Sequence, residues 1–250
     1  SLPAYVAAFF SALAALVTFL KLPESRVHKP TEAEVWLHPS RFRPIFQKPV
    51  LVQLLLISFT IMAAFVMMEA VMVLFLDRIF GFKELGTGAY FGFLGLIIII
   101  VQGGLIGRLT KKFGDWPLAI LGPVLVAVGM GGLVISYFLP FTSILLLAGA
   151  INAAGRSFMQ PTISSLISKH ADRNDQGTVF GLFHGLGSIA RVVGPLIAGF
   201  TYKLHLAAPF GVAGIISLAV ALWAIAVRAT APDPVAPVAV LADPPAADAL

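Results

Sequence analysis

The sequence predicts an all-α, polytopic transmembrane helix bundle of about seven spans. Of its 250 residues, 58% are hydrophobic and only 12% are charged, which is about half the charged share of a soluble domain. The mean hydropathy is +0.94. The charges are clustered, so that Glu69 is the only charged residue within 50–76 and Arg156 the only one within 116–168. Apolar stretches of roughly 20 residues cross a bilayer as helices, because no water is present there to satisfy an open backbone.

The apolar stretches divide the chain into seven candidate spans. The first is not read as a secretory signal peptide, because it lacks a basic start and Leu22-Pro23-Glu24 follows it in place of a small-residue cleavage site. Since the sequence begins at Ser1 without an initiator Met, we expect a fragment or a processed chain. The candidate spans lie at about 2–20, 50–76, 88–107, 117–138, 141–168, 177–201 and 207–227.

The basic residues predict the orientation of these spans. If the segment 21–49 is cytoplasmic, twelve Lys and Arg residues fall on that side and three on the other. Such a bias places the N-terminus outside and the C-terminus in the cytoplasm, and we expect a multi-pass protein of the plasma (cell inner) membrane. The three residues on the outer side are Arg78, Lys83 and Lys203.

The predicted organisation has four parts. Residues 1–20 form one transmembrane helix, and 21–49 form a long, Pro-containing loop that carries both charge signs. Residues 50–228 form a bundle of six helices. The segment 229–250 is rich in Pro and Ala and has no periodic apolar pattern, so we expect a disordered cytoplasmic tail.

Four local patterns occur in a characteristic order. Each is weak alone, because each consists of a few small, polar or basic residues at helix ends. They are the span end Leu22-Pro23-Glu24-Ser25, the basic turn Gly103-Gly104-Leu105-Ile106-Gly107-Arg108 with Lys111-Lys112, the stretch Met159-Gln160-Pro161-Thr162 with Asp175-Gln176-Gly177, and the series Gly181, Ala190, Gly194-Pro195 and Ala198-Gly199.

In this order the patterns resemble helices six to twelve of the major facilitator superfamily, closest to drug:proton antiporters of the tetracycline-efflux type. The resemblance covers about residues 1–228. It implies that residues 1–20 are the last helix of an N-terminal bundle and 50–228 the C-terminal bundle, with the rest of the N-terminal bundle missing. The acidic residue of the family's basic-loop motif is absent here, and the glycine series matches the repeat of the antiporter helix, so it does not by itself indicate antiport.

Polar residues inside apolar spans are the candidate working parts, since each charge there costs roughly 2.5–3.5 kcal/mol on insertion scales. Asn152, Arg156 and Gln160 share one face of the fifth span at steps of four residues. They are candidates to line a substrate pathway, with Arg156 attracting an anion or replacing a transported cation. The alternative is that they only hold helices together. His184 on the sixth span is a further pathway candidate, with packing as its alternative.

Glu69 is the one acidic residue deep in a span, and is a candidate proton-carrying or cation-binding group. The alternative is a structural carboxyl that is protonated or paired with Arg. Gln102 is a candidate pore-lining residue, and Gly88, Gly92 and Gly95 beside it are interpreted as packing residues. A structural or gating role is expected for Gly103, Gly107, Arg108, Arg191, Gly194 and Pro195.

We find no catalytic, metal-ligand, phosphate-binding or nucleotide motif, so we expect no enzyme and no cofactor. The leading hypothesis is secondary active transport of a small solute by alternating access, with proton-coupled efflux as one form. The expected partners are the lipid bilayer, the solute, protons and the missing N-terminal bundle, without nucleic acid. The alternatives are a seven-helix membrane receptor and a transporter fragment that is inactive or pairs with another chain.

Overall fold

The structure is a computed structural model that describes residues 2–21, 43–172 and 175–231. The chain divides into two compact units, Ser1–Pro39 and Ser40–Leu250. In the first unit, helix α1 spans Leu2–Lys21 and corresponds to the first predicted span. Most of the predicted loop 21–49 and of the predicted tail 229–250 lies outside the described residues.

The described residues of the second unit form helices joined by short turns. A four-residue helix, α2, lies within the segment predicted as a loop, and α9 extends two residues into the segment predicted as a tail. The elements are α2 (Arg43–Phe46), α3 (Pro49–Phe80), α4 (Glu84–Ile100), a π-helical segment (Val101–Leu105), α5 (Ile106–Phe113), α6 (Asp115–Phe138), α7 (Thr142–His170), α8 (Gln176–Leu204) and α9 (Ala208–Thr230).

The helices confirm the predicted all-α polytopic bundle. A long helix lies at each of the seven predicted positions, with α4, the π-helical segment and α5 forming one continuous rod. Among the described residues, five helices are long and apolar enough to cross a membrane, namely Pro49–Phe80, Glu84–Phe113, Asp115–Phe138, Gln176–Leu204 and Ala208–Thr230. The other two predicted spans correspond to α1 and α7. Helix α7 is less apolar than the five because it carries more polar residues.

Local chemistry sets the ends of these helices. Pro49 opens α3, where its missing N–H costs nothing. The same helix ends at Gly81, whose φ of 65° is left-handed and whose N–H donates to the Asp77 carbonyl. Gly114, with a φ of 80°, separates α5 from α6. Pro123 lies inside α6, Pro161 inside α7 and Pro195 inside α8.

Small residues let the inner helices approach closely. The most extensive helix pair is α6 with α7, where a Cβ on Gly129 would lie 2.7 Å from the Asn152 Cβ. A Cβ on Gly155 would lie 2.7 Å from the Gly122 carbonyl oxygen. Helix α3 packs against both α8 and α9, so it joins these two helices.

The packing interpretation of Gly88, Gly92 and Gly95 is wrong for the described part of the chain. A Cβ at any of these three positions would meet nothing within 4 Å. Of the residues in α4, only Tyr90 is buried. This helix therefore presents most of its surface away from the described bundle.

Candidate functional site

The inner sides of α3, α7 and α8 form an open cavity. From α3 it is lined by Ser58, Ile61, Met62 and Phe65. These positions follow i, i+3, i+4 and i+7, so they share one helical face. Val126 of α6 contributes a further part of the wall.

The polar part of the wall comes from α7 and α8. Arg156 and Gln160 are one turn apart on α7, and His184 and Arg191 are two turns apart on α8. The structure thus brings together four of the side chains that the sequence singles out. Helix α8 is among the helices that are long and apolar enough to cross a membrane, and α7 has 29 residues. In membrane-spanning helices, polar side chains turn toward a protein interior or a water-filled space.

Arg156 has a specific partner in the cavity. Its guanidinium carbon lies 3.4 Å from the centroid of the Phe65 ring, which is a close cation–π contact between α7 and α3. Arg156 is half-buried. The aromatic face thereby supports a positive charge on the cavity wall.

Two other charges act on the Arg156 guanidinium. Glu69 on α3 attracts it and Arg191 on α8 repels it. Within the described ranges, neither Arg156 nor Arg191 forms an ion pair closer than 4 Å, since the pairs found there join Lys48 to Asp172, Lys83 to Asp77 and Lys169 to Asp115. The cavity wall therefore keeps two cations without a direct counter-ion in the described chain.

Three of the predicted pathway residues lie away from the cavity wall. Asn152 is 4% exposed and packs against Gly129 of α6, so the expectation that it shares a pathway-lining face with Arg156 and Gln160 is not met. A helix with steps of four residues drifts around its axis, and this turns Asn152 toward α6. Glu69 and Gln102 are both exposed and do not line the cavity.

The residues predicted to have a structural or gating role divide into two groups. Gly194 is buried where α8 crosses α3, and a Cβ there would lie 2.9 Å from the Ala63 carbonyl oxygen. Arg191 lines the cavity one turn earlier, and Pro195 is exposed.

The other group lies near the end of the long α4–α5 rod. Gly103, Gly107 and Arg108 are exposed, and Gly103 and Gln102 belong to the π-helical segment Val101–Leu105. A π-helical turn inside an α-helix often marks a functional position. The adjacent pair Gly103-Gly104, with its low helix propensity, is the sequence signal for this irregularity.

A polar cluster around the buried Asp115 at the start of α6 has no counterpart in the sequence predictions. Lys169 pairs with the Asp115 carboxylate at 2.6 Å, and the Ser165 hydroxyl donates to the same Oδ2 atom at 2.7 Å. The side chain of Asp115 is only 3% exposed. About fifty residues separate Asp115 from its partners, so no local pattern in the sequence reveals the cluster.

With the fold and the cavity described, comparison with known proteins identifies the family. The family model of the Major Facilitator Superfamily matches residues 1–141 and 104–246. The chain belongs to the major facilitator superfamily. The predicted family resemblance is thereby confirmed, and this assignment does not favour the seven-helix receptor.

Relatives within the superfamily include drug-resistance proteins. The chain is 29% identical over 211 residues to Multidrug resistance protein 1 of Bacillus subtilis, a match that covers 84% of this chain and 52% of the relative. It is 27% identical over 135 residues to the class H tetracycline resistance protein of Pasteurella multocida, covering 54% of this chain and 33% of the relative. Both matches support the predicted likeness to drug-efflux members.

A solved structure shares the fold. The crystal structure of the human organic anion transporter MFSD10 (TETRAN) matches with a TM-score of 0.64 at 24% identity, and the match covers 70% of this chain and 40% of that one. The chain spans about half the length, or less, of the curated relatives that it matches.

Proposed function

We propose that this chain is part of a secondary transporter that moves a small solute across the membrane by alternating access. The observation that carries the proposal is the cavity on α3, α7 and α8, which places Arg156, Gln160, His184 and Arg191 inside helices long enough to span a bilayer. Polar groups in such a position mark substrate or ion pathways in membrane proteins.

The matched relatives support transport, and they support drug-like solutes in particular. Their names describe multidrug resistance, tetracycline resistance and organic anion transport. We therefore propose efflux of a small amphipathic molecule, and transport rather than catalysis.

A second bundle is the expected partner. Superfamily transporters bind their substrates between two pseudo-symmetric halves that rock against each other, and α3 to α9 supply one such half. We propose that residues 1–20 close the other half and that its remaining helices complete the cavity. Five further hydrophobic spans encoded upstream of Ser1 would support this arrangement, whereas a start codon immediately before Ser1 would contradict it.

A variant that fills the cavity tests its role in transport. Gly187 lines the cavity, and a Cβ there would meet nothing within 4 Å. Gly187→Leu should therefore fold and obstruct the solute. The control is Gly199→Leu on the same helix, which has equally open space at Cβ and lies outside the cavity.

The measurement is uptake of labelled solutes into inverted membrane vesicles from cells that express the reading frame encoding this chain. Tetracycline and a panel of aromatic cations, anions and neutral compounds serve as solutes. Gly187→Leu should lower the uptake of a transported solute at least about tenfold, whereas Gly199→Leu should leave it unchanged. Equal uptake by both variants would show that this cavity is not the solute pathway.

Proton coupling through Glu69 is part of the same proposal. Glu69 lies one turn along α3 from Phe65 and acts electrostatically on Arg156, so a change in its charge reaches the cavity. Glu69→Gln should abolish uptake driven by a pH gradient. It should leave the exchange of unlabelled for labelled solute unchanged. The control is Glu84→Gln at the start of α4. Unchanged pH-driven uptake in Glu69→Gln would remove Glu69 from the proton route.

We also propose a plasma-membrane location with the N-terminus outside and the C-terminus in the cytoplasm, because of the bias in basic residues. The chain contains no cysteine, so single cysteines can report the side of each loop. Lys83→Cys should react with a membrane-impermeant maleimide in intact cells, and Lys111→Cys only after permeabilisation. The reverse pattern would invert the topology.

A further inference from the structure

We propose that the solute held in this cavity is an organic anion, with its carboxylate or sulfonate bound between Arg156 and Arg191 and an aromatic or branched apolar body packed beside them. The inference rests on the proposed function, because it specifies the substrate of that same cavity. It goes beyond the family assignment, which does not determine the charge of the solute.

The charges on the cavity wall support an anion. Of the residues that line it, Arg156 and Arg191 are cationic and none is acidic. The two guanidinium groups repel each other. An anion placed between them removes that repulsion, whereas a cation would add to it.

The geometry of Arg156 leaves it able to bind. Its guanidinium carbon lies over the Phe65 ring, 3.4 Å from the ring centroid. A guanidinium carries its N–H donors in a fork that matches the two oxygens of a carboxylate or sulfonate. None of the ion pairs found among the described residues involves Arg156.

Glu69 is the acidic group that could compete for Arg156. Among the described residues it forms no ion pair with Arg156 within 4 Å, and it does not line the cavity. One carboxylate near two arginines leaves a net positive charge, which favours an anion.

The rest of the wall suits an apolar body. Met62 and Met159 lie in it together with Ile61, Ile163 and Phe183. Methionine side chains are flexible and polarisable, so they adapt to flat and branched groups.

The test compares three probes that share one ring system and differ in charge. They are 2-naphthalenesulfonate, 2-naphthol and 2-naphthylmethylammonium. Equilibrium dialysis measures their binding to the purified protein in nanodiscs of zwitterionic lipid, with empty nanodiscs subtracted. The sulfonate should bind at least about tenfold more tightly than the ammonium compound, since one charge-assisted interaction accounts for that ratio.

Variants assign the preference to the two arginines. Arg156→Gln and Arg191→Gln should each weaken sulfonate binding about tenfold and leave naphthol binding nearly unchanged. The matched control is Arg108→Gln, an exposed arginine outside the cavity, which should change neither. If Arg156→Gln fails to fold, Arg156→Lys replaces it as the test variant, because it keeps the charge but removes the forked guanidinium.

The outcomes separate this inference from the proposed function. If all three probes bind equally and Gly187→Leu weakens all of them, the cavity is a solute site without preference for anions, and the inference is overturned. If Gly187→Leu changes the binding of none of the probes, both the inference and the proposed function fail. A further set of nanodiscs contains phosphatidylglycerol. If this lipid displaces the sulfonate, an anionic lipid headgroup is the occupant and the proposal of a solute is overturned.

Discussion

The guanidinium carbon of Arg156 lies over the ring of Phe65, 3.4 Å from the ring centroid. The contact joins α7 to α3, and both residues line the same cavity. A single interaction therefore holds a charge inside the bundle, connects two helices and shapes the wall that a solute would touch.

The cation–π contact predicts a measurable coupling between these two residues. In a double-mutant cycle of Phe65→Leu and Arg156→Lys, the two changes should be non-additive by about 0.5–2 kcal/mol, the range for cation–π contacts from exposed to desolvated sites. The measurement is thermal or denaturant unfolding in detergent, converted to free energy. A cycle of Phe65→Leu with Arg191→Lys is the control and should be additive within about 0.5 kcal/mol. Additivity in both cycles would contradict the contact.

The close approach of α6 to α7 predicts opposite effects at two glycines of α6. A Cβ on Gly129 would lie 2.7 Å from the backbone nitrogen of Asn152, so Gly129→Ala should lower the free energy of unfolding by about 1–3 kcal/mol through overpacking. Gly131→Ala meets nothing within 4 Å and should be neutral or stabilising by up to about 1 kcal/mol. Midpoints of thermal unfolding in detergent give the comparison, and equal midpoints would refute the packing.

A similar pair tests the crossing of α8 over α3. Gly194→Ala would place a Cβ 2.9 Å from the Ala63 carbonyl oxygen and 2.9 Å from the Val66 Cβ. We expect it to destabilise by about 1–3 kcal/mol and to lower transport, because Arg191 is one turn away on the same helix. Gly199→Ala, with open space at Cβ, is the control. Wild-type stability in Gly194→Ala would mean that α8 lies farther from α3.

The buried Asp115 predicts unequal contributions from two ion pairs. Lys169→Ala would leave the carboxylate of Asp115, 3% exposed, with only the Ser165 hydroxyl as a partner. We expect a loss of about 1–3 kcal/mol, below that of a fully buried pair because Lys169 itself is half exposed.

The exposed pair is the matched control for this prediction. Lys83 and Asp77 lie 3.3 Å apart with side chains 86% and 53% exposed. Lys83→Ala should therefore change the free energy of unfolding by no more than about 1 kcal/mol. Chemical denaturation in detergent measures both variants, and a Lys83 effect as large as that of Lys169 would show that burial is not the deciding factor.

Part of the candidate site follows from sequence periodicity. Arg156 and Gln160 are one turn apart, and charges in an apolar helix must turn inward, so a polar wall on α7 is predictable from spacing alone. The same reasoning places Asn152 on that wall, whereas the structure buries it against Gly129. Side chains at steps of four residues do not follow a straight line along a helix. The packing of neighbouring helices therefore decides which of these three side chains is buried.

Glu69 shows a second limit of sequence reasoning. Its isolation in an apolar run makes it a candidate functional residue, yet it lies outside the cavity that contains Arg156. The sequence reveals that such a carboxyl is costly in a membrane, but the direction in which it points depends on the rotation of α3 within the bundle. The neighbouring turn of the same helix carries Phe65, whose contact with Arg156 is the more informative feature.

The sequence by itself determined that this is a polytopic membrane protein of the major facilitator type, because apolar length, charge distribution and the order of short motifs are properties of local segments. Only the tertiary structure decided that Phe65 contacts Arg156, that Arg191 shares their cavity and that Asp115 is buried and pairs with Lys169. Each of these contacts joins residues that are far apart in the chain, and their formation depends on helix rotation and interhelical distance, which residue spacing within one helix does not specify.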